Sequence, residues 1–278
     1  MEVGLSTYLF SDHRLSSHIL DQMLNAGIQA MEIFAARRHL DYYDKNHVQD
    51  VAQWFLDHGL SLHSIHAPLF LGFGSGRAGE LPLSPAYLER RLRIDSMDEM
   101  KRALEVAERL PFSYFILHLG LPGEEYDLRK FDAAFTSIEH LRLFAKERGA
   151  QILIENIRND LSTPKRLLYF LQYTRLDVKI CFDTGHAHLS EGVAPEFDAL
   201  KDVVATVHLH DNRHENDDHL MPFSGTIEWD PVLEAFRSVN SQAPLLLEPR
   251  DYGPEQTGMA KVQEVVRKIR ERVRGDRE

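Results

Sequence analysis

The chain has 278 residues, with 32 Lys+Arg against 43 Asp+Glu, a formal net charge of −11, and 43% hydrophobic residues. These proportions exclude a disordered, collagen-like or disulfide-scaffold chain, and the length is enough to bury one large core. The acidic balance argues against a broad basic nucleic-acid surface, lone Cys181 has no disulfide partner, and 15 histidines are more imidazoles than a structural account needs.

In chain order, β-rich runs alternate with helical patterns. Val3–Tyr8 is followed by His18–Ala26, Ala30–Phe34 by His47–His58, Ser61–His66 by Leu88–Leu110, and Tyr114–His118 by Phe131–Arg148. Gln151–Glu155 precedes Pro164–Tyr173, Val178–Phe182 precedes Pro195–Leu200, Val204–His208 precedes Pro231–Val239, and Pro244–Glu248 precedes Met259–Arg274. Leu92, Met100, Ala103, Leu104 and Ala107 keep the helical period within the third helix, and Gly27, Gly59 and Gly149 follow helices where a left-handed cap is wanted. Eight strand–helix units without a composition break predict an α/β fold, a (β/α)8 TIM barrel forming a single domain over 1–278. A doubly wound open sheet, usually of five or six strands, is the alternative. Leu69–Pro85 and His210–Trp229 read as long loops after the third and seventh strands, on the face where such barrels carry their sites.

Several motifs are set aside. Gly74-Ser75-Gly76-Arg77-Ala78-Gly79 matches G-x-G-x-x-G, but Glu80-Leu81-Pro82 follows instead of a helix, so it reads as a flexible loop. There is no C-x-x-C and no G-x-S-x-G. Lys179 lies inside the sixth strand instead of at its end, where a Schiff-base lysine is wanted. Arg267–Arg274 reads as the solvated face of the last helix. Trp54 and Trp229 read as packing residues, with pocket lining the alternative for Trp229. No signal peptide opens the chain and no apolar run reaches transmembrane length, so a cytoplasmic setting without membrane association is expected.

The polar residues fall at strand ends. His66 and His118 end the third and fourth strands, Glu155 the fifth, and Asp183 follows the sixth with His186 three residues on. His208 and His210 end the seventh, Asp217 and His219 lie in the loop after it, and Glu248 ends the eighth. In a closed barrel these ends converge on one mouth. Several carboxylates desolvated there would repel one another and protonate; a divalent cation removes that penalty. Mixed His, Asp and Glu without Cys favours Zn, Mn, Co or Fe.

His66-Ala67-Pro68, Glu155-Asn156, Asp183-Thr184-Gly185-His186, His208-Leu209-His210-Asp211, Asp217-Asp218-His219 and Leu247-Glu248-Pro249 together resemble the xylose-isomerase-like TIM-barrel superfamily, in order and over nearly the whole chain. That group includes sugar isomerases and epimerases, inosose-processing enzymes and endonuclease-IV-type AP endonucleases. In the isomerase branch the resemblance implies one Mn²⁺, Mg²⁺ or Co²⁺ held by Glu155, Asp183, His208 and Glu248. In the endonuclease branch it implies a multinuclear site of three zinc ions and nine ligands: His66, His118, Glu155, Asp183, His186, His208, Asp217, His219 and Glu248.

The sugar branch is favoured by the opening Gly4-Leu5-Ser6-Thr7-Tyr8, by acidic Glu32 in the second strand, by Leu69 where the endonucleases carry a wedging Tyr, and by a short His208–His219 segment. Arg37, Arg38, His39 and Arg213 form a candidate patch for DNA phosphates or for a sugar phosphate. The resemblance implies proton transfer beside a cation-bound carbonyl, with Glu155 and Glu248 moving the proton and His186, His210 and Arg250 contacting hydroxyl or phosphate groups or supporting the ligands. The expected partner is a small sugar or sugar phosphate, with nucleic acid only under the endonuclease reading. A barrel that has lost activity and merely binds is the third possibility, and oligomeric state stays open.

Overall fold

In the computed structural model, which describes residues 1–73, 80–238 and 244–274, the apolar runs become eight strands. They are β1 (Val3–Ser6), β2 (Met31–Phe34), β3 (Leu62–His66), β4 (Phe112–His118), β5 (Gln151–Glu155), β6 (Lys179–Asp183), β7 (Val204–Leu209) and β8 (Leu245–Leu247). Each pairs in parallel with the next, and β1 also pairs with β8, with Val3 opposite Leu245 and Leu5 opposite Leu247. The sheet therefore closes into a barrel without free edges, as the strand–helix count predicts.

The helices outside it are α1 (Ser17–Asn25), α2 (Lys45–Asp57), α3 (Arg90–Leu104), α4 (Leu128–Lys146), α5 (Pro164–Thr174), α6 (Thr184–His188), α7 (Val193–Leu200), α8 (Trp229–Ser238), α9 (Pro254–Thr257) and α10 (Met259–Arg274). α10 shows why they dock. Val262, Val265, Val266 and Ile269 recur at helical spacing and are buried, each side chain stabilising the fold by roughly 1.5–3 kcal/mol. Its other face carries Arg267–Glu271 and Lys268–Glu264 ion pairs, so the basic tail is a solvated face. Gly27, Gly59 and Gly149 all take positive φ after α1, α2 and α4.

The elements depart from the sequence pattern where side chains compete with the backbone ladder. Val3–Tyr8 stays extended only to Ser6. Ser6 Oγ then accepts from Tyr8 N, Thr7 Oγ1 accepts from Phe34 N, and Thr7–Phe10 becomes a 3-10 turn. The third helix tightens into a 3-10 turn over Glu105–Glu108. α6 is an addition: Asp183 Oδ1 accepts from His186 N at 2.7 Å, so one candidate ligand also caps the helix carrying the next. The G-x-G-x-x-G segment, Gly74–Gly79, lies outside the described residues.

Successive residues of a strand face opposite sides. The outward set packs on the helices, whereas the inward set fills the barrel in layers. Ile116, Leu153 and Cys181 form an apolar plug with Tyr114 and Ala205 against it. Glu155 and Asp183 stand two residues beyond Leu153 and Cys181, so they project into the mouth above the plug. Lys179 sits at the other end and is exposed, away from any Schiff-base position.

Candidate metal centre

Three groups of ligand atoms adjoin at the strand C-terminal ends. Glu155, Asp183, His208 and Glu248 each offer an atom within 4.8 Å of the others, as do His66, His118 and Glu155, and as do His186, His210, Asp217 and His219. All nine residues singled out by sequence thus come together, with His210 as a tenth; a deeper group of Glu155, Cys181 and His208 adjoins them, so Glu155 belongs to three groups. His66 Nε2 and His118 Nε2 lie 3.2 and 3.4 Å from Glu155 Oε2, while His208 Nδ1 lies 3.2 Å from Oε1. His208 Nδ1 is also 3.5 Å from Glu248 Oε2. Farther out, Asp217 Oδ2 sits 3.1 Å from His186 Nε2 and 3.4 Å from His219 Nε2.

The imidazoles are held in a consistent way. His66 Nδ1 lies 2.8 Å from the Ala67 carbonyl, His186 Nδ1 2.9 Å from that of Asn156, and His219 Nδ1 2.9 Å from that of Glu248. A carbonyl only accepts, so these nitrogens carry the proton and donate it. Each ring then turns its Nε2 inward, free to take a cation or a second proton. His208 is anchored differently: its Nε2 lies 3.1 Å from Glu32 Oε2.

Charge is dense and dry. Glu155, Asp183 and Glu248 are all buried. Burial alone would raise the Glu155 carboxyl, but His208, with hydrogen bonds from His118, His208 and His66, holds it well below the usual range. Glu248 goes the other way, raised by burial and by Glu155 against the pull of His208. His186 and His208 rise well above the ordinary imidazole range although burial opposes it: Asp183, Asp217 and Glu155 raise His186, and Cys181 with Glu248, Glu32 and Glu155 raises His208. Without a cation, protons on these rings balance the carboxylates. Asp183 Oδ2 and His210 Nδ1 are buried without hydrogen bonds. These orphaned atoms, the close carboxylates and the inward nitrogens fit a divalent cation.

Two residues expected at the substrate do not line the pocket. His210 is fully buried and stacked on the His219 ring with centroids 3.8 Å apart. Its Nε2 lies 3.0 Å from Asp183 Oδ1, so it touches the ligand layer from behind. A Cβ at Gly185 would collide with this ring, which is why the Asp-Thr-Gly-His turn needs glycine there. Arg250 is exposed outside the pocket, its backbone N–H donating to the His219 carbonyl. His186 does line the pocket.

The pocket above the ligands encloses about 610 Å³ and mixes Tyr8, Phe34, Leu69 and Phe70 with the ligand side chains and Arg158. Among its lining residues Arg158 is the only arginine or lysine. Of the expected basic patch, Arg37 pairs with Asp41, Arg38 pairs with Asp12, His39 is buried with Nδ1 on the His13 carbonyl, and Arg213 is exposed and outside the pocket lining. Trp229 is buried too, its Nε1 donating to Asp211 Oδ2 at 2.8 Å, so it packs the loop instead of lining the pocket.

Sequence reasoning gave no role to Asn156 and Asp211. Asn156 Oδ1 accepts from Asp183 N and its Nδ2 donates to Asp183 O, tying the ends of β5 and β6 together. Asp211 accepts from the backbone N–H groups of Asn212, Gly225 and Ile227 as well as from Trp229, and so fixes the loop bearing Asp217 and His219. Their only sequence signal is a small polar residue directly beside a ligand motif.

A family model described as "Xylose isomerase-like TIM barrel" matches residues 20–269. An uncharacterized protein, y4fM, of Sinorhizobium fredii is 29% identical over 209 residues, 68% of this chain and 67% of that one. A probable endonuclease 4 of Haloquadratum walsbyi is 27% identical over 188 residues, 58% of this chain and 65% of that one. Among solved structures, a D-tagatose 3-epimerase-like protein superposes with a TM-score of 0.79 at 22% identity, covering 99% of both chains.

Proposed function

The chain belongs to the xylose isomerase-like TIM-barrel family, and from that premise we propose that it is a divalent-metal-dependent isomerase or epimerase of a small sugar or sugar phosphate, working in the cytoplasm. The observation that carries this reading is that two glutamates of one ligand group, Glu155 and Glu248, both reach the pocket wall and lie within 3.5 Å of the same His208 Nδ1. Glu155 is held ionised by three imidazoles, whereas Glu248 keeps its proton more tightly. Carboxyls whose environments separate their proton affinities suit one proton acceptor and one donor.

A divalent cation held by Glu155, Asp183, His208 and Glu248 supplies the polarisation of a substrate carbonyl that acidifies the adjacent C–H bond. In this reading Glu155 takes the proton from that carbon and Glu248 returns one, moving the carbonyl or inverting the centre. Tyr8, whose hydroxyl burial and Glu248 keep protonated, donates to the substrate from the rim, and His186 contacts a hydroxyl. Phe34, Leu69 and Phe70 exclude water along the apolar wall. The pocket volume is in the range for one small molecule.

The test is solvent exchange. Protein loaded with Mn²⁺ or Zn²⁺ is incubated with a panel of ketoses and ketose phosphates in D2O. Deuterium should enter one carbon, and Glu155→Gln and Glu248→Gln should each slow that exchange by about 100-fold or more. No exchange in any panel member, with metal bound, counts against the reading.

A second reading has its own observation. The three adjoining groups include all nine residues that the resemblance relates to the trinuclear site of endonuclease-IV-type AP endonucleases, with Glu155 shared between groups. Incision of an abasic-site duplex on the 5′ side, lost in Glu248→Gln, with three zinc ions per chain by metal analysis, would replace the first reading with this one. The paired Arg37 and Arg38 weigh against it.

A further inference from the structure

Glu32 has no place in the ligand set, yet it is a fully buried carboxylate inside the barrel. Its Oε2 lies 3.1 Å from His208 Nε2 and accepts a 2.7 Å hydrogen bond from Ser64 Oγ, while its Oε1 has no partner. Leaving a buried carboxylate oxygen unpaired is unfavourable, and an apolar side chain would fill the same space without that penalty. The register explains the meeting: Glu32 lies opposite Ser64 across β2 and β3, and His208 reaches them from β7 across the barrel.

His66, His186 and His219 are anchored by neutral backbone carbonyls, whereas His208 is anchored by a carboxylate. A carboxylate accepting the N–H of an imidazole fixes which nitrogen carries the proton and makes the other nitrogen a stronger donor to a cation. His208 Nδ1 is the atom turned toward Glu155 and Glu248.

We propose that Glu32, held by Ser64, is a positioning residue that keeps His208 in its Nε2–H form, so that Nδ1 faces the Glu155–Asp183–Glu248 group and binds the cation there more tightly. This rests on the reading that the group holds a divalent cation, and it is independent of which reaction follows.

The experiment measures Zn²⁺ and Mn²⁺ affinity by competition with a chelating dye, for wild type, Glu32→Gln, Glu32→Leu and Ser64→Ala. Glu32→Gln keeps the volume and an acceptor oxygen, and should lose about 10- to 100-fold in affinity. Glu32→Leu should lose at least as much, and Ser64→Ala less, in the same direction. Folded Glu32 variants with wild-type affinity would overturn the proposal while leaving the cation reading intact; a wild type that binds neither ion would overturn both. If the variants do not fold, the wild type decides. Long-range ¹H–¹⁵N correlation spectra of the Zn²⁺-loaded protein should show His208 protonated at Nε2, and a proton at Nδ1 overturns the proposal.

Discussion

His219 shows how single residues answer to pH. Burial opposes charge on its ring, but the Asp217 charge and hydrogen bond, together with Glu248, push it up from 6.5 to about 9. A base whose folded value is raised stabilises the fold fully below its unfolded value, and that contribution is lost as pH rises through the folded one. Metal-free protein should therefore lose stability between pH 6.5 and about 9, by at most about 3 kcal/mol from this ring. His186 and His208 act in the same direction. His39 works oppositely: burial pushes it down to about 4, so its neutral form is favoured and stability falls as pH drops from 6.5 toward 4. Thermal melts across pH, with and without Zn²⁺, check this. The alkaline loss should shrink when Zn²⁺ is bound, because the cation replaces the protons; identical alkaline slopes would refute the coupling.

The element of greatest consequence for the site is the loop between β7 and α8. It carries Asp217 and His219 yet has little regular structure beyond a single bridge between Asp211 and Leu220. Its order comes from the Asp211 carboxylate, which gathers four donors. Replacing Asp211 with Ala strips those donors of their partner and should destabilise the protein by roughly 2–4 kcal/mol. Amide exchange should accelerate over 212–228 while β4–β6 stay protected; uniform exchange would show that the loop is held by other means. This is also where sequence reading reached its limit. The β7 ligand is legible because an apolar run leads straight into His208, and Asp217 and His219 because Asp217-Asp218-His219 resembles a family motif. The four-donor role of Asp211 was hidden, since its partners lie as far along as Trp229 and nothing in a β-run predicts where a loop turns back. The same limit kept Glu32 out of the site: it meets His208 176 positions away, a contact made only by closing the barrel. For His210 sequence leaves substrate contact and support of the ligands both open, because a strand-end position fixes the end of the barrel but not whether a ring lies in the pocket or behind it.

For the whole molecule, alternation was enough to read the architecture. Eight units imply a closed barrel more readily than an open sheet, and the β1–β8 pairing bears that out. We take the chain to be a single cooperative domain, because β1 and β8 complete one sheet from opposite ends of the sequence. Denaturant unfolding followed by far-UV and aromatic signals should then give coincident transitions, and Ile269→Ala in α10 should shift both together by about 2–5 kcal/mol. Two separate transitions would argue for independent parts.

The ligand residues come from the ends of six strands, β3 to β8, and from the loop after β7. A cation held by Glu155, Asp183, His208 and Glu248 needs a chain whose last strand is already in place. Its binding is then linked to survival of the fold: with free cation well above its dissociation constant, each tenfold rise adds about 1.4 kcal/mol to the native state. Starvation for metal would accordingly lower the amount of intact protein as well as its activity, and an emerging polypeptide could not capture its ion until β8 had been synthesised. Abundance in the cell would thus follow metal supply.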